Sequence, residues 1–288
     1  MVFMVYRTDM GRYMSNKINT LTNIEQLAQQ CTRAISASLQ PGMSERDAAS
    51  LMREWLKQQG VTEHLHRPLA WFGQRTSLSD RSGWLTRPGI RPEYFPSNTT
   101  LRDGMAVALY CAPHHQRVAA ESLYCTTVGA NPSYQGLLSD TDTLRDRLAD
   151  AIGAGQSIEF LEGLMQRFAA GHQLRLRHHQ QPLVDWLRPY SISPDLGYAD
   201  KRIVDKLVGL TGNPLPAHLP TSQIPICRHS PLATGLWVIQ PWLVRERRGA
   251  GFRSLLNISQ HDSGLRAQWL NEPLPLVSAE SILSQHSA

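Results

Sequence analysis

Tyr110 and Glu121 are the residues whose types and spacing come closest to chemistry. They lie in the stretch Gly104–Gly129, GMAVALYCAPHHQRVAAESLYCTTVG. Two apolar runs, Met105–Ala112 and Val118–Val128, flank the polar segment Pro113–Arg117, and that pattern predicts a β-hairpin. Side chains alternate along a strand, so Ala106, Ala108 and Tyr110 share one face, and Glu121, Leu123 and Cys125 share one face of the return strand. With both faces turned inward, a carboxylate meets a phenol at the centre of the fold, a pair suited to general acid–base work. Spacing alone favours a blander arrangement, with Glu121 on the wet side of the sheet.

Other reactive residue types point elsewhere. Cys31, Cys111, Cys125 and Cys227 are scattered without CxxC spacing, which argues against a zinc knuckle or a disulfide framework and suits a reducing cytoplasm. Alternation leaves Cys111 and Cys125 either close across the hairpin or on opposite faces. The adjacent His178 and His179 point in different directions on any regular element and make a poor metal site. The formal charge of +5 comes largely from arginines spread along the chain, densest at Arg245–Arg248 and Arg175–His179. A nucleic-acid reader would concentrate that charge in a stripe with interleaved aromatics, so nucleic acid is not expected as a partner.

The elements that must position these residues follow from pattern. The chain's 288 residues, 41% of them hydrophobic and 18% charged, can bury a full core as one large domain or as two halves sharing a sheet. No apolar run approaches the roughly 20 residues of a membrane helix. Met1–Thr20 reads as a tail, too uneven for a secretory signal, with Met14 a natural start. Asn23–Leu39 has helical spacing and ends at Pro41-Gly42. Ser44 and Asp47 predict a capping box opening a second helix that stops at Gly60. The plan of helix, glycine break, serine and helix recurs over Asp140–Ile152, Gly153–Ser157 and Ile158–Ala170, which suggests an internal duplication. Gly83–Asn98, rich in Pro, Arg and aromatics, predicts a loop.

These stretches resemble, in order, the motifs of the creatinase/aminopeptidase family, whose members include methionine aminopeptidases, proline-specific aminopeptidases and creatinase. LQPGMSERD, ending at Asp47, is similar to the family's L-x-P-G-M-T-E-x-E. His66–Gly73 is similar to the W-H-K-P-x-V-R-F-G run of one branch. Leu101, Gly104, Val107, Val128 and Gly129 keep the frame of its first metal-binding hairpin. Pro231–Gln240 resembles the strand that ends in a ligand Glu, and Gly249–Leu256 resembles G-A-F-Y-E-D-L-L. The resemblance covers about residues 23–271. It implies the α/β (α+β) pita-bread fold, a pseudo-twofold duplication of helices packed on a curved, mainly antiparallel sheet. The expected organisation is a tail over 1–20, one catalytic-like domain over 21–275, and a C-terminal tail over 276–288.

The resemblance also implies five metal-ligand positions, and here the chain departs from it. Tyr110, Glu121, Leu210 or Asn213, Gln240 and Arg253 stand where the family carries ligands. A dinuclear site needs several hard carboxylate oxygens, so no metal and no cofactor are expected. Arg253 is expected to take the cation's place and fork onto Glu121, with Tyr110 and Gln240 completing the hydrogen bonds. His66, His218 and Asn213 become candidate substrate contacts. The favoured reading is a metal-independent enzyme acting on a small amino-acid-like or peptide-like substrate. In it Glu121 is base or acid, Tyr110 a donor, Arg253 a tuning charge or a clamp for a substrate carboxylate, and Cys125 a nucleophile if it faces inward. One alternative is a non-catalytic relative that binds peptide or protein partners. The other is a working metal-dependent aminopeptidase or proline peptidase. The family's habit implies a homodimer, and a cytoplasmic location is expected, without a membrane.

Overall fold

The computed structural model describes residues 2–78, 95–115, 118–177, 186–190, 229–261 and 264–270, without side chains at 2–19, 65–66 and 188–189. The first half opens with helices α1 (Val2–Ser38) and α2 (Glu45–Gln58). Helix α1 runs back through the segment read as a tail. The capping box of α2 forms: the Asp47 amide donates to Ser44 Oγ at 3.2 Å, and the Ser44 amide donates to Asp47 Oδ2 at 2.8 Å. Strand β1 (Glu63–Phe72) and a 3₁₀ turn (Gly73–Ser77) lead to β2 (Met105–His115), β3 (Val118–Ala119) and β4 (Ser122–Val128).

The second half repeats the plan with α3 (Pro132–Gly153) and α4 (Ile158–Gly171). Helix α3 starts earlier than its apolar spacing predicts, because Asn131 accepts the Tyr134 amide at 3.0 Å and Pro132 stands just inside the start. Short strands β5 (Arg175–Leu176) and β6 (Leu187–Pro189) precede β7 (Gly235–Ile239), β8 (Trp242–Arg245), β9 (Arg248–Gly251), β10 (Ser254–His261) and β11 (Gly264–Trp269). The duplication is visible in detail. Ser44 and Ser157 each cap the second helix of their half, and each makes an isolated antiparallel bridge, to Thr100 and to Pro231.

All strand pairings among the described residues are antiparallel. β2 lies between β1 on one side and β3 and β4 on the other; β11, β10, β7 and β6 form a second sheet, and β5, β8 and β9 a third. Val107, Leu109 and Cys111 face a core made with α1 and α2. A second core gathers α3 and α4 beneath β7, β9 and β10. Leu69, Trp71, Ala108, Tyr110 and Leu123 meet Trp242 and Val244 in a third, smaller cluster between the halves.

Thr76 clasps the halves together. Its carbonyl accepts Trp242 Nε1 at 3.1 Å, and its hydroxyl accepts the Gly249 amide at 3.0 Å. A Cβ on Gly249 would lie 2.3 Å from Trp242 Nε1 and 2.4 Å from the Thr76 carbonyl, so only glycine permits this approach.

The hairpin corrects the sequence reading in two places. Its first strand continues through Pro113 to His115, and the return strand is broken at Ala120–Glu121. Ala108 pairs with Cys125 and Cys111 with Ser122, so the two cysteines lie on opposite faces.

A buried ion-pair cluster at the candidate active site

The residues at the centre come mostly from interruptions in strands. Tyr110 sits in mid-strand on β2, between Leu69 of β1 and Leu123 of β4. Glu121 occupies the break between β3 and β4, Gln240 the junction of β7 and β8, and Arg253 the junction of β9 and β10. A break releases a side chain from strict alternation: Glu121 meets Tyr110, Arg253 meets Glu121, and Gln240 meets Arg253.

The contacts form a chain of charge-assisted hydrogen bonds. Tyr110 donates its hydroxyl to Glu121 Oε2. Arg253 donates from Nη2 to Glu121 Oε1 at 2.8 Å and from Nη1 to Gln240 Oε1 at 3.1 Å. Relative exposures are 5% for Glu121, 7% for Arg253 and 9% for Tyr110. Burial works against the Arg253 charge, but Glu121, with Tyr110, Glu25 and Tyr190, outweighs it and holds the guanidinium above its ordinary range. The Gln240 backbone amide donates to Trp186 O at 2.7 Å, and Tyr190 donates its hydroxyl to Ala119 O at 2.5 Å, which fixes the rim of the cluster.

Other expected site residues fall elsewhere. Cys125 shares the Tyr110 face but packs beside Tyr134 and Gly251. Burial pushes its thiol up to about 11, so it is protonated at neutral pH and is no ready nucleophile. The His66 backbone, on β1, pairs with Ala112 of β2, and its side chain lies outside the described residues, as do Leu210, Asn213 and His218. Glu25, on α1, was not singled out from the sequence. It is 2% exposed and acts electrostatically on Arg253. Helical spacing held the signal, since Leu21, Glu25, Ala28 and Thr32 form one stripe, all buried.

Residues 19–188 match the family model of metallopeptidase family M24. The chain belongs to that family. Solved structures similar to it include the X-Pro aminopeptidase from Thermotoga maritima (12% identity, TM-score 0.60, covering 90% of this chain and 62% of that one). The prolidase from Pyrococcus horikoshii has 12% identity and TM-score 0.63, covering 91% of this chain and 64% of that one. Aminopeptidase P from E. coli has 12% identity and TM-score 0.59, covering 94% and 59%. The pita-bread fold is thereby shown, and this chain spans about three fifths of those proteins' lengths. No curated protein matches the sequence.

The M24 resemblance implies a pair of divalent metal ions, and the described donor set does not fit them. Among the described residues, no three His, Cys, Asp or Glu side chains gather as a metal site. The stronger observation is positive: a guanidinium lies 2.8 Å from a Glu121 oxygen, and a divalent cation there would face a like charge at contact. Among the described residues, no helix is long and apolar enough to cross a membrane.

Proposed function

We propose that this M24 chain works without a metal and holds a peptide-like or amino-acid-like ligand without hydrolysing it. The observation that carries this reading is the mutual pairing of the cluster's charged groups. Both Glu121 oxygens are engaged, by Tyr110 and Arg253, and both terminal nitrogens of Arg253 are engaged, by Glu121 and Gln240. A general base needs a lone pair turned toward its substrate. A clamp for a substrate carboxylate needs a free fork. The charged groups of the cluster are turned toward one another, so recognition falls more to the surroundings of the cluster than to its charges.

The reading is tested by purifying the full chain without chelators or a metal column, measuring Mn, Fe, Co and Zn per chain, and assaying Xaa-Pro dipeptides with and without added Mn and Co. Negligible metal and no hydrolysis, together with saturable calorimetric binding of an uncleaved dipeptide such as Gly-Pro, are expected. About two ions per chain with metal-dependent cleavage would sink the proposal.

A second reading, metal-independent catalysis on the same class of substrate, draws on Glu25. Glu25 is buried and acts on Arg253 electrostatically, and with Glu121 and Tyr110 it makes a set of interacting groups able to exchange a proton. It requires turnover that survives metal removal and disappears in a folded Glu121→Gln variant.

A further inference from the structure

Glu45 is the first residue of α2, yet it is completely buried. Its carboxylate gathers three other segments through charge-assisted hydrogen bonds. Oε1 accepts the amide of Phe72, the last residue of β1, at 2.8 Å. Both oxygens accept Arg75 Nε, at 2.8 and 2.9 Å, from the 3₁₀ turn. Oε2 also accepts the Ser97 amide at 2.8 Å and the Ser97 hydroxyl at 2.7 Å. Arg75 ties the same stretch by donating from Nη2 to Phe95 O at 2.7 Å.

The duplication shows that a helix start does not need this carboxylate. Glu45 and Ile158 each follow a capping serine, and their amides donate to Thr99 O at 3.1 Å and to Ser230 O at 3.3 Å. Ile158 is apolar and also buried. In the first half, then, the carboxylate serves the segments it gathers. One of them, the 3₁₀ turn, reaches the second half. Besides the two Thr76 bonds, Ser77 O accepts Arg177 Nη1 at 2.8 Å, and the Arg177 amide donates to Trp242 O at 2.9 Å.

We propose that Glu45 is a positioning residue that acts through Arg75: it seats the 3₁₀ turn on α2, so that Thr76 meets Trp242 and Gly249 at the join between the halves. Trp242 lies two residues after Gln240 and packs in one cluster with Tyr110. The carboxylate thereby aligns the half that carries Gln240 and Arg253 with the half that carries Tyr110 and Glu121. The groups it meets here are all donors, so an amide in its place turns its own N–H groups on one of them. The role is independent of any ligand or ion that the site accepts.

The test follows two indole N–H groups of the full chain by heteronuclear NMR, assigned with W242F and W237F. Trp242 Nε1 donates across the join to Thr76 O, whereas Trp237 Nε1 donates to Ala233 O at 2.8 Å inside the second half. In E45Q the Trp242 signal is expected to shift and to lose protection against hydrogen exchange, with Trp237 unchanged. S44A, which removes the α2 cap and leaves the carboxylate, is expected to move neither. An unmoved Trp242 in folded E45Q overturns the proposal. So does an equal loss of protection at both indoles, which would mark a general loss of stability, or a shift in S44A as large as in E45Q. Should E45Q not fold, E45D keeps the charge but withdraws it by one methylene, and the same comparison decides: a shift confined to Trp242 is expected, and an unmoved Trp242 overturns the proposal.

Discussion

Replacing Arg253 by methionine is the sharpest test of a cation site filled by a side chain. The substitution keeps an unbranched apolar stem and removes the guanidinium. Glu121, 5% exposed, then loses the donor 2.8 Å away, and Gln240 loses its donor at 3.1 Å. Breaking a buried ion pair from one side costs about 3–5 kcal/mol, because the remaining charge stays desolvated. With a urea slope of roughly 3 kcal/mol per molar, the midpoint should fall by about 1–2 M. The assay is urea unfolding at neutral pH, followed by tryptophan fluorescence. Adding E121Q to R253M removes the buried charge that has lost its cation and should restore at least half of the loss. A drop of under about 1 kcal/mol, the range of exposed pairs, would refute the reasoning, since Arg253 and Glu121 would then be solvated partners.

Two other perturbations probe the frame around the cluster. The Cys125 thiol titrates near 11 in the folded chain against 9.0 for an ordinary thiol. The folded form therefore holds that proton more tightly, and its contribution to stability, fully present below pH 9.0, is lost as pH rises through about 11. Stability measured across that window should fall less in C125S than in the wild type, and identical profiles would contradict the assignment. At the clasp, G249A places a Cβ 2.3 Å from Trp242 Nε1 and should cost about 1–3 kcal/mol by overpacking. Thermal melts should show the loss, with partial relief in G249A/W242F; an unchanged melting temperature would mean that the halves do not approach as closely as described.

Much of the centre was legible because glycine and proline punctuation sets the order of the elements. Gly104 and Gly129 frame the hairpin, and both adopt positive φ, which favours glycine there. The capping box at Ser44 was legible for the same local reason. The gathering of Tyr110, Glu121, Gln240 and Arg253 followed from the family frame and charge balance, not from any local pattern. Three things were not legible. The strand break at Glu121 has no signature, since Val118–Val128 is apolar enough to run straight through. Glu25 stayed hidden because an acidic residue on an amphipathic helix is ordinarily assigned to water. The buried Glu45 accepts the Phe72 amide at 2.8 Å and Arg75 Nε at 2.8 Å, yet in sequence it looks like an exposed first-turn acid.

The positions of Glu121 and Arg253, each in a strand break of its own half, bear on how long the molecule lasts once folded. A contact between residues so distant in the chain can close only after both hairpins have formed, so it belongs to the final steps of folding. Interactions absent from the folding transition state act on the rate of escape. Losing the pair should therefore leave refolding nearly as fast as before and shorten the lifetime of the native state, and stopped-flow unfolding of R253M would show a steeper loss in that arm than in the other. In that sense the cluster is a lock, closed last.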